Sequence, residues 1–477
     1  MRKIENVICP VCGSLCDDIT VYVEDNRVVE VENTCAVGRA KFLNYGLHRK
    51  PKPLIRKNGE LKEASIEEAV RRSAEILTES KYPILYGWSS TSCEAIRVGL
   101  ELAEEIGGII DNTSTVCHGP SILSIQDVGI PSCTLGQLRH RADLVIYWGS
   151  DPYSAHPRHI ERYTVFSEGR FQKSGWRSFI RRLSGKLVKK RLSRVAELIL
   201  RRKLTFPEEK YALPPYFISE EERKLVVVDV RKTRTAEVAD YFLQVKPNTD
   251  YEVLQALRML VNDQDLEVDE VAGIPVKTLE DLADLMISCD LGILFFGVGL
   301  TMSKGKLRNV DAALSLVRDL NKRTKFLIMP MRGHYNVTGA NVVFTWQTGY
   351  PYAVDFSLGY PRYNPGETSV VDILRRGECD AGLVVASDPV SNFPASAAKT
   401  LVDNPLIVID PDVTPTSMMA DVVFPSAYIG IEAEGTAYRM DHVPLRLKKV
   451  VEPPPNCLPD QEILARILRE VRRIRRG

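Results

Sequence analysis

From residue 65 onward the chain alternates between two hydrophobic patterns. Unbroken apolar runs such as Pro83-Ile84-Leu85-Tyr86-Gly87-Trp88 and Leu144-Val145-Ile146-Tyr147-Trp148 read as strands buried on both faces. Between such runs lie amphipathic stretches. Ser65-Ile66-Glu67-Glu68 is a capping box that opens a helix to about Ser80, and Ser92 to Ile106 reads as another helix. Phe295-Phe296-Gly297-Val298-Gly299-Leu300 ends a strand before a helix near Lys306 to Leu320. Phe326 to Pro330 is a strand leading into Met331-Arg332-Gly333-His334-Tyr335. Strands alternating with helices predict an α/β fold with a parallel, doubly wound sheet. The first residues differ: Ile19 to Val23 and Arg27 to Val31 alternate around Glu24-Asp25-Asn26, a hairpin pattern.

Two elements recur. Leu144 to Pro152, a strand and the turn Gly149-Ser150-Asp151-Pro152, reappears as Leu383 to Pro389 with Ser387-Asp388-Pro389. Val226-Val227-Val228-Asp229 is followed by Thr233, Thr235, Ala239 and Asp240; Ile407-Val408-Ile409-Asp410 is followed by Thr414, Thr416, Ala420 and Asp421, 181 residues later in one register. The repeat predicts two related α/β halves, each with a Ser-Asp-Pro loop and an Asp-x3-Thr loop. Ligands bind beyond the carboxyl ends of strands in open α/β sheets, so two quasi-equivalent halves imply two quasi-equivalent nucleotides. The plainer reading is that Asp and Thr cap helices. Gly297 and Gly299 make only a weak Gly-x-Gly signal, and Arg332 suits a carboxylate or phosphate unless it is simply solvated.

Composition narrows the class without naming it. The 477 residues are enough for two or three domains, and 44% hydrophobic with 26% charged residues is ordinary for a soluble globular protein. A formal net charge of +1 gives no global field for nucleic acid or membrane. The N-terminus lacks a signal-peptide core, and the longest strongly apolar run, Leu291 to Met302, is too short to span a bilayer, so a cytoplasmic protein is expected. One segment stands apart. Arg170 to Lys203 holds thirteen Lys and Arg against one acid, Glu197, with apolar residues at helical spacing. It reads either as a docking face for an acidic partner or membrane surface, or as a solvated insertion.

The cysteines carry the candidate chemistry. Cys9, Cys12, Cys16 and Cys35 form C-x2-C-x3-C-x18-C. Four thiolates suit zinc or a [4Fe–4S] cluster. Three close cysteines with one distant partner favour the cluster, and disulfides come third. Cys117 follows Asp111-Asn112-Thr113-Ser114-Thr115-Val116 and precedes His118-Gly119-Pro120-Ser121. A loop after a strand and beside a helix start would lower a thiol pKa, making a nucleophile or soft metal ligand; the alternative is an inert buried cysteine.

Taken together, CPVCGSLCDD, NTSTVCHGPS, GSDPYSAHPRH, VVVDVRKTRTAEVAD, PMRGHYNVTGAN, ASDPVSNFP and ADVVFPSAYIGIEAEGTAYRMD resemble the molybdopterin oxidoreductase superfamily. More narrowly, the chain resembles the B-subunit family of formylmethanofuran dehydrogenase over nearly its whole length, the basic insertion excepted. The resemblance implies a [4Fe–4S] cluster on Cys9, Cys12, Cys16 and Cys35, and two molybdopterin guanine dinucleotides chelating one tungsten or molybdenum, with Cys117 as the protein ligand. It implies that Asn112, Gly149, Ser150, Asp151, Pro152, His156, Asp229, Arg231, Thr233, Gly297, Gly299, Ser387, Asp388, Pro389, Asp410 and Thr414 fall on the dinucleotide cradle. His118 and Arg332 match the catalytic pair. The implied reaction is reduction of CO2 to formate, which passes to a metallo-hydrolase-like subunit for condensation with methanofuran.

The implied architecture is a small N-terminal [4Fe–4S] lobe, residues 1–60, plus two doubly wound Rossmann-like domains as in formate dehydrogenases. One spans 61–150 and 365–450, the other 151–364 with the basic insertion 168–215, and 451–477 forms a tail helix. The C-terminal β-barrel of single-chain relatives is lacking, which implies a separate barrel subunit as well as ferredoxin-like or polyferredoxin subunits. The superfamily often has lysine two residues after the last cluster cysteine; Val37 stands there, leaving Arg39 or Lys41 to serve. The competing readings are a formate dehydrogenase catalytic subunit and a non-catalytic scaffold of a formyltransferase/hydrolase-type complex.

Overall fold

The computed structural model describes residues 1–167 and 223–477; the basic insertion lies outside the described residues. The chain divides into two compact units, residues 1–119 with 332–477, and residues 120–331.

The first unit is built on a nine-stranded sheet. Its order is Arg362–Tyr363, Val354–Asp355, Ile109–Asn112, Pro83–Gly87, Ala381–Val385, Leu406–Asp410, Val422–Pro425, Leu54–Lys57 and Glu60–Glu63. The five central strands run parallel, whereas both edges are antiparallel. Every residue of Pro83–Gly87 and Ala381–Val385 is buried, as the unbroken apolar runs require of strands covered on both faces. The helix Ile66–Glu79 starts in the expected box: Ser65 Oγ accepts from Glu68 N at 3.1 Å and Glu68 Oε2 from Ser65 N at 2.8 Å. The C-terminal helix Asp460–Arg476 buries Ile463, Leu464, Ile467, Leu468 and Val471 in the core shared with Ile66–Glu79 and Cys93–Ile106. Its Arg472 reaches Glu105 at 2.9 Å and Glu101 at 2.8 Å. The N-terminal segment adds a three-stranded antiparallel sheet, Arg2–Val7, Ile19–Glu24 and Arg27–Glu32, with Val7, Ile19, Val21 and Phe42 in its core.

The second unit holds a five-stranded, wholly parallel sheet in the order Tyr241–Gln244, Lys224–Asp229, Leu144–Trp148, Leu291–Phe296 and Lys325–Pro330. Among the described residues no helix is long and apolar enough to cross a membrane.

The boundaries differ from those expected. Leu144–Trp148 pairs with Lys224–Asp229 and Leu291–Phe296, so the second unit begins at residue 120 rather than 151. Val337–Thr348 and Val354–Asp355 return to the first unit, and Leu54–Lys57 is a strand of its sheet rather than part of an N-terminal lobe reaching residue 60. Hydrophobic periodicity marks a buried strand but not which sheet it joins.

Candidate functional site

Strand Ile109–Asn112 ends in a 3-10 turn, Thr113–Val116, and Cys117 closes it by donating its N–H to Ser114 O at 3.1 Å. Asn112, expected on the cradle, spends its amide on the chain: Oδ1 accepts from Ser114 N at 3.0 Å and Nδ2 donates to Pro351 O at 3.0 Å. Beneath it, fully buried Asp111 accepts from the backbone N–H groups of Asn112, Ala353 and Val370 at 2.8, 3.0 and 2.9 Å. Burial raises its pKa to about 7 against those three donors.

Cys117 is half-buried and His118 fully buried. The thiol runs opposite to the expectation of a lowered pKa. Burial pushes it up to about 11, and the Arg332 guanidinium pulls it part of the way back. Arg332 is itself buried, which lowers it to about 10 while Cys117 acts to raise it. At neutral pH it is therefore a buried cation in the field of the thiol. Desolvation outweighs any helix-end effect at Cys117 because the latter fades within a turn and is worth about 1 kcal/mol at most surface sites.

The four N-terminal cysteines come together. Cys9 N donates to Cys16 O at 2.9 Å, and Cys35 caps the helix Ala36–Asn44, its Sγ accepting from Gly38 N at 3.4 Å. The Cys9 thiol is pushed up by burial and then by Cys16, Cys12 and Cys35, so one field joins all four. Glycine at 38 keeps this approach open, since a Cβ there would lie 3.2 Å from Cys9 Sγ and 2.2 Å from Thr34 Oγ1. None of the ten cysteines forms a disulfide.

The cysteine loop lies against the loop of Arg332. Gly13 N donates to Gly333 O at 3.0 Å, Cys12 forms a bridge with His334, and Met440 N donates to Gly13 O at 2.9 Å. Sequence reasoning missed Gly13, whose Cβ would sit 2.4 Å from Arg332 O.

The repeat is geometric as well as sequential. Thr235 Oγ1 donates to Asp151 Oδ1 at 2.5 Å, and Thr416 Oγ1 to Asp388 Oδ1 at 2.5 Å. Ser154 and Ser391 donate to the other oxygens of the same carboxylates, at 2.7 and 2.6 Å. Thr233 and Thr414 each cap the following helix. Arg231 N and Asp412 N donate to Asp229 Oδ1 and Asp410 Oδ1 at 3.3 and 2.9 Å. The plainer capping reading therefore describes what these Asp and Thr side chains do within the chain: they clasp two loops at the strand ends. In the second unit Gly149, Gly297 and Gly299 let two loops touch, Gly299 N donating to Gly149 O at 3.0 Å. A Cβ on Gly297 would meet Gly149 O at 2.5 Å. Ser150, Pro152 and His156 are buried beside this turn, while Arg231 is exposed and Asp229 is pushed up by burial.

At the carboxyl ends of the first unit's strands opens a cavity of about 420 Å³. Its lining includes Pro10 and Val11 from the cysteine loop, Ala386 and Asp410 from the strand ends, and Asp460 at the start of the C-terminal helix. Val37 and Lys41 also line it, and Lys41 Nζ lies 3.9 Å from Asp412 Oδ2 and 4.4 Å over the Tyr428 ring. Arg39, the other cation weighed, turns to Val31 O at 3.2 Å.

No protein-family model matches the chain. It is 46% identical over 475 residues to the B-subunit of tungsten-containing formylmethanofuran dehydrogenase 2 of Methanocaldococcus jannaschii, covering 99% of both chains. The protein of the same name from Methanococcus maripaludis is 44% identical, again over 99% of both. Among solved structures, a chain of the formyltransferase/hydrolase complex from Methylorubrum extorquens superposes with a TM-score of 0.62 at 18% identity, covering 89% of this chain and 100% of that one, a likeness of fold. With full-length identity at this level and the motifs distributed through both units, the chain belongs to the B-subunit family of formylmethanofuran dehydrogenase, within the molybdopterin oxidoreductase superfamily.

Proposed function

We propose that this chain reduces CO2 to formate at a tungsten or molybdenum centre held by Cys117 and two pterin guanine dinucleotides, with electrons entering through a [4Fe–4S] cluster on Cys9, Cys12, Cys16 and Cys35. The observation that carries the reading is the hydrogen bond from Gly13 to Gly333: it seats the cysteine loop on the loop of Arg332, whose charge acts on the Cys117 thiol. The donor sets fit. Cys9 feels the charges of Cys16, Cys12 and Cys35, so the four thiols lie within one another's electrostatic reach, and four thiolates are a donor set that a [4Fe–4S] cluster takes. When bound, the metal and dithiolenes supply two-electron chemistry and the cluster supplies electrons singly.

The chain's own residues do the rest. Arg332, a buried cation with a pKa lowered to about 10, holds an oxygen of CO2 or of the formate carboxylate in a low dielectric. His118, buried next to Cys117 in the chain, holds or delivers the proton. Gly149 to Pro152, His156, Asp229, Arg231, Thr233, Gly297 and Gly299 form one dinucleotide cradle, and Ser387 to Pro389, Asp410 and Thr414 the other. Asp151 and Asp388 shape those loops through their clasps, and Asn112 shapes the Cys117 turn. Lys41, on the cavity wall, is the cation between cluster and pterin in place of Val37. That the relatives are named as one subunit of a larger enzyme supports partner subunits, namely a barrel, a metallo-hydrolase-like chain that receives formate, and ferredoxin-like chains.

Cys117→Ala in the purified complex tests the assignment. Iron content and thermal stability should be retained while CO2/formate turnover and bound tungsten or molybdenum are lost. Retained turnover would remove Cys117 from the reaction and return the chain to a scaffold role.

A further inference from the structure

Arg332 and Cys117 lie far apart in sequence, and something must fix their separation. Helix Val337–Thr348 follows the Arg332 loop directly, and it is tied twice to the turn that carries Cys117. Asn336, fully buried at its start, donates its backbone N–H to Ser89 O at 3.0 Å, and Ser89 Oγ meets Thr113 Oγ1 at 2.5 Å. One turn on, Asn341 Nδ2 donates to Ser114 Oγ at 2.9 Å and to Pro351 O at 3.0 Å. Ser114 O in turn accepts the N–H of Cys117. The amide orientation is fixed, since Pro351 O can only accept.

Asn341 is also an expensive choice. Only 7% exposed, it leaves Oδ1 buried with no hydrogen-bond partner among the described residues. A buried acceptor left unmade costs stability, and an apolar residue in a helix facing the core would avoid that cost. Two donors aimed at two acceptors are what the site retains.

We propose that Asn341 is a positioning residue that sets the distance and orientation of Cys117 relative to Arg332, holding the thiol-bearing turn against the helix that follows the guanidinium loop. This rests on Cys117 being the metal ligand. Asn341 touches neither substrate nor metal; it acts through Ser114 and the turn.

The test uses the purified holo complex carrying Asn341→Asp, which keeps the shape but presents a carboxylate to Pro351 O, and Ser114→Ala, which removes one of the two bonds with little risk to folding. Val343→Ala on the same helix, buried in the apolar core, is the control for plain destabilisation. The readouts are the electron paramagnetic resonance signal of the pentavalent tungsten or molybdenum, metal content and kcat. Expected for Asn341→Asp is a shifted or broadened signal with kcat at least about tenfold lower at near-normal metal content. Ser114→Ala should shift the signal less in the same direction, and Val343→Ala should leave it unchanged. A wild-type signal in both Asn341→Asp and Ser114→Ala would overturn the proposal, as would an equal shift in Val343→Ala. Should Asn341→Asp fail to assemble, the Ser114→Ala signal decides. If wild type yields no such signal, or Cys117→Ala keeps it, the metal assignment itself fails, a distinguishable result.

Discussion

Gly13 donates its backbone N–H to the carbonyl of Gly333 at 3.0 Å, joining the cysteine-rich loop to the loop of Arg332 within one unit. The contact needs glycine at the first position, because any Cβ would drive into Arg332 O. Two loops more than three hundred residues apart in sequence are thus held at backbone distance, close enough that moving one moves the other.

Gly13→Ala should therefore damage the site more than the fold. The clash, at 2.4 Å with backbone, forces a shift of the loop, and overpacking of this kind costs about 1–3 kcal/mol. We expect turnover to fall at least about tenfold with the complex still assembled and its iron content as in wild type; unchanged kcat would show that the two loops work independently.

Lys41 and Arg39 are separable by experiment. Lys41 lines the cavity beside Asp412 and over Tyr428, whereas Arg39 binds Val31 O away from it. Removing a positive charge near a cluster disfavours its reduced form. Lys41→Met should make the cluster's midpoint potential more negative in a titration followed by paramagnetic resonance, and Arg39→Met should not. Equal effects from the two would dismiss Lys41 as the intervening cation.

Asp355 should contribute to acid sensitivity. Its fully buried carboxylate is pushed up by burial but more than compensated by Arg362 and by Ser357 N, leaving its pKa below the usual value. A lowered folded-state pKa means the stabilisation is complete above the unfolded value of about 3.9 and is lost as pH falls through the lower folded value. The Tm of wild type should drop more steeply than that of Asp355→Asn below about pH 4. Parallel curves would assign acid lability elsewhere.

Much of this was legible in the sequence because it is local. The Ser65 box, the hairpin at Glu24 to Asn26 and the paired Asp-x3-Thr loops are set by neighbours a few residues away, where side-chain chemistry and spacing decide the backbone. What escapes the sequence is long-range. Strand Leu144–Trp148 looks like any buried strand, and only pairing assigns it to the second sheet. The bond from Asn112 to Pro351 O joins residues 239 apart in the chain, which no local spacing shows. Spacing alone puts the Cys117 thiol beside an acidifying helix end, but burial, which no spacing rule reports, prevails. Asn341 sits inside a recognised motif without a role, because its partners Ser114 and Pro351 become neighbours only in the folded chain.

The two carboxylate clasps differ in one respect. From Asp388 to Thr416 the chain runs 28 residues, and from Asp151 to Thr235 it runs 84, a difference of 56, yet both clasps close with the same atoms at 2.5 Å. Contour length between the two anchor points is thus a free variable, and the molecule carries its own precedent for the short version. The closure at the strand ends is therefore the same whether 28 or 84 residues of chain lie between its anchors.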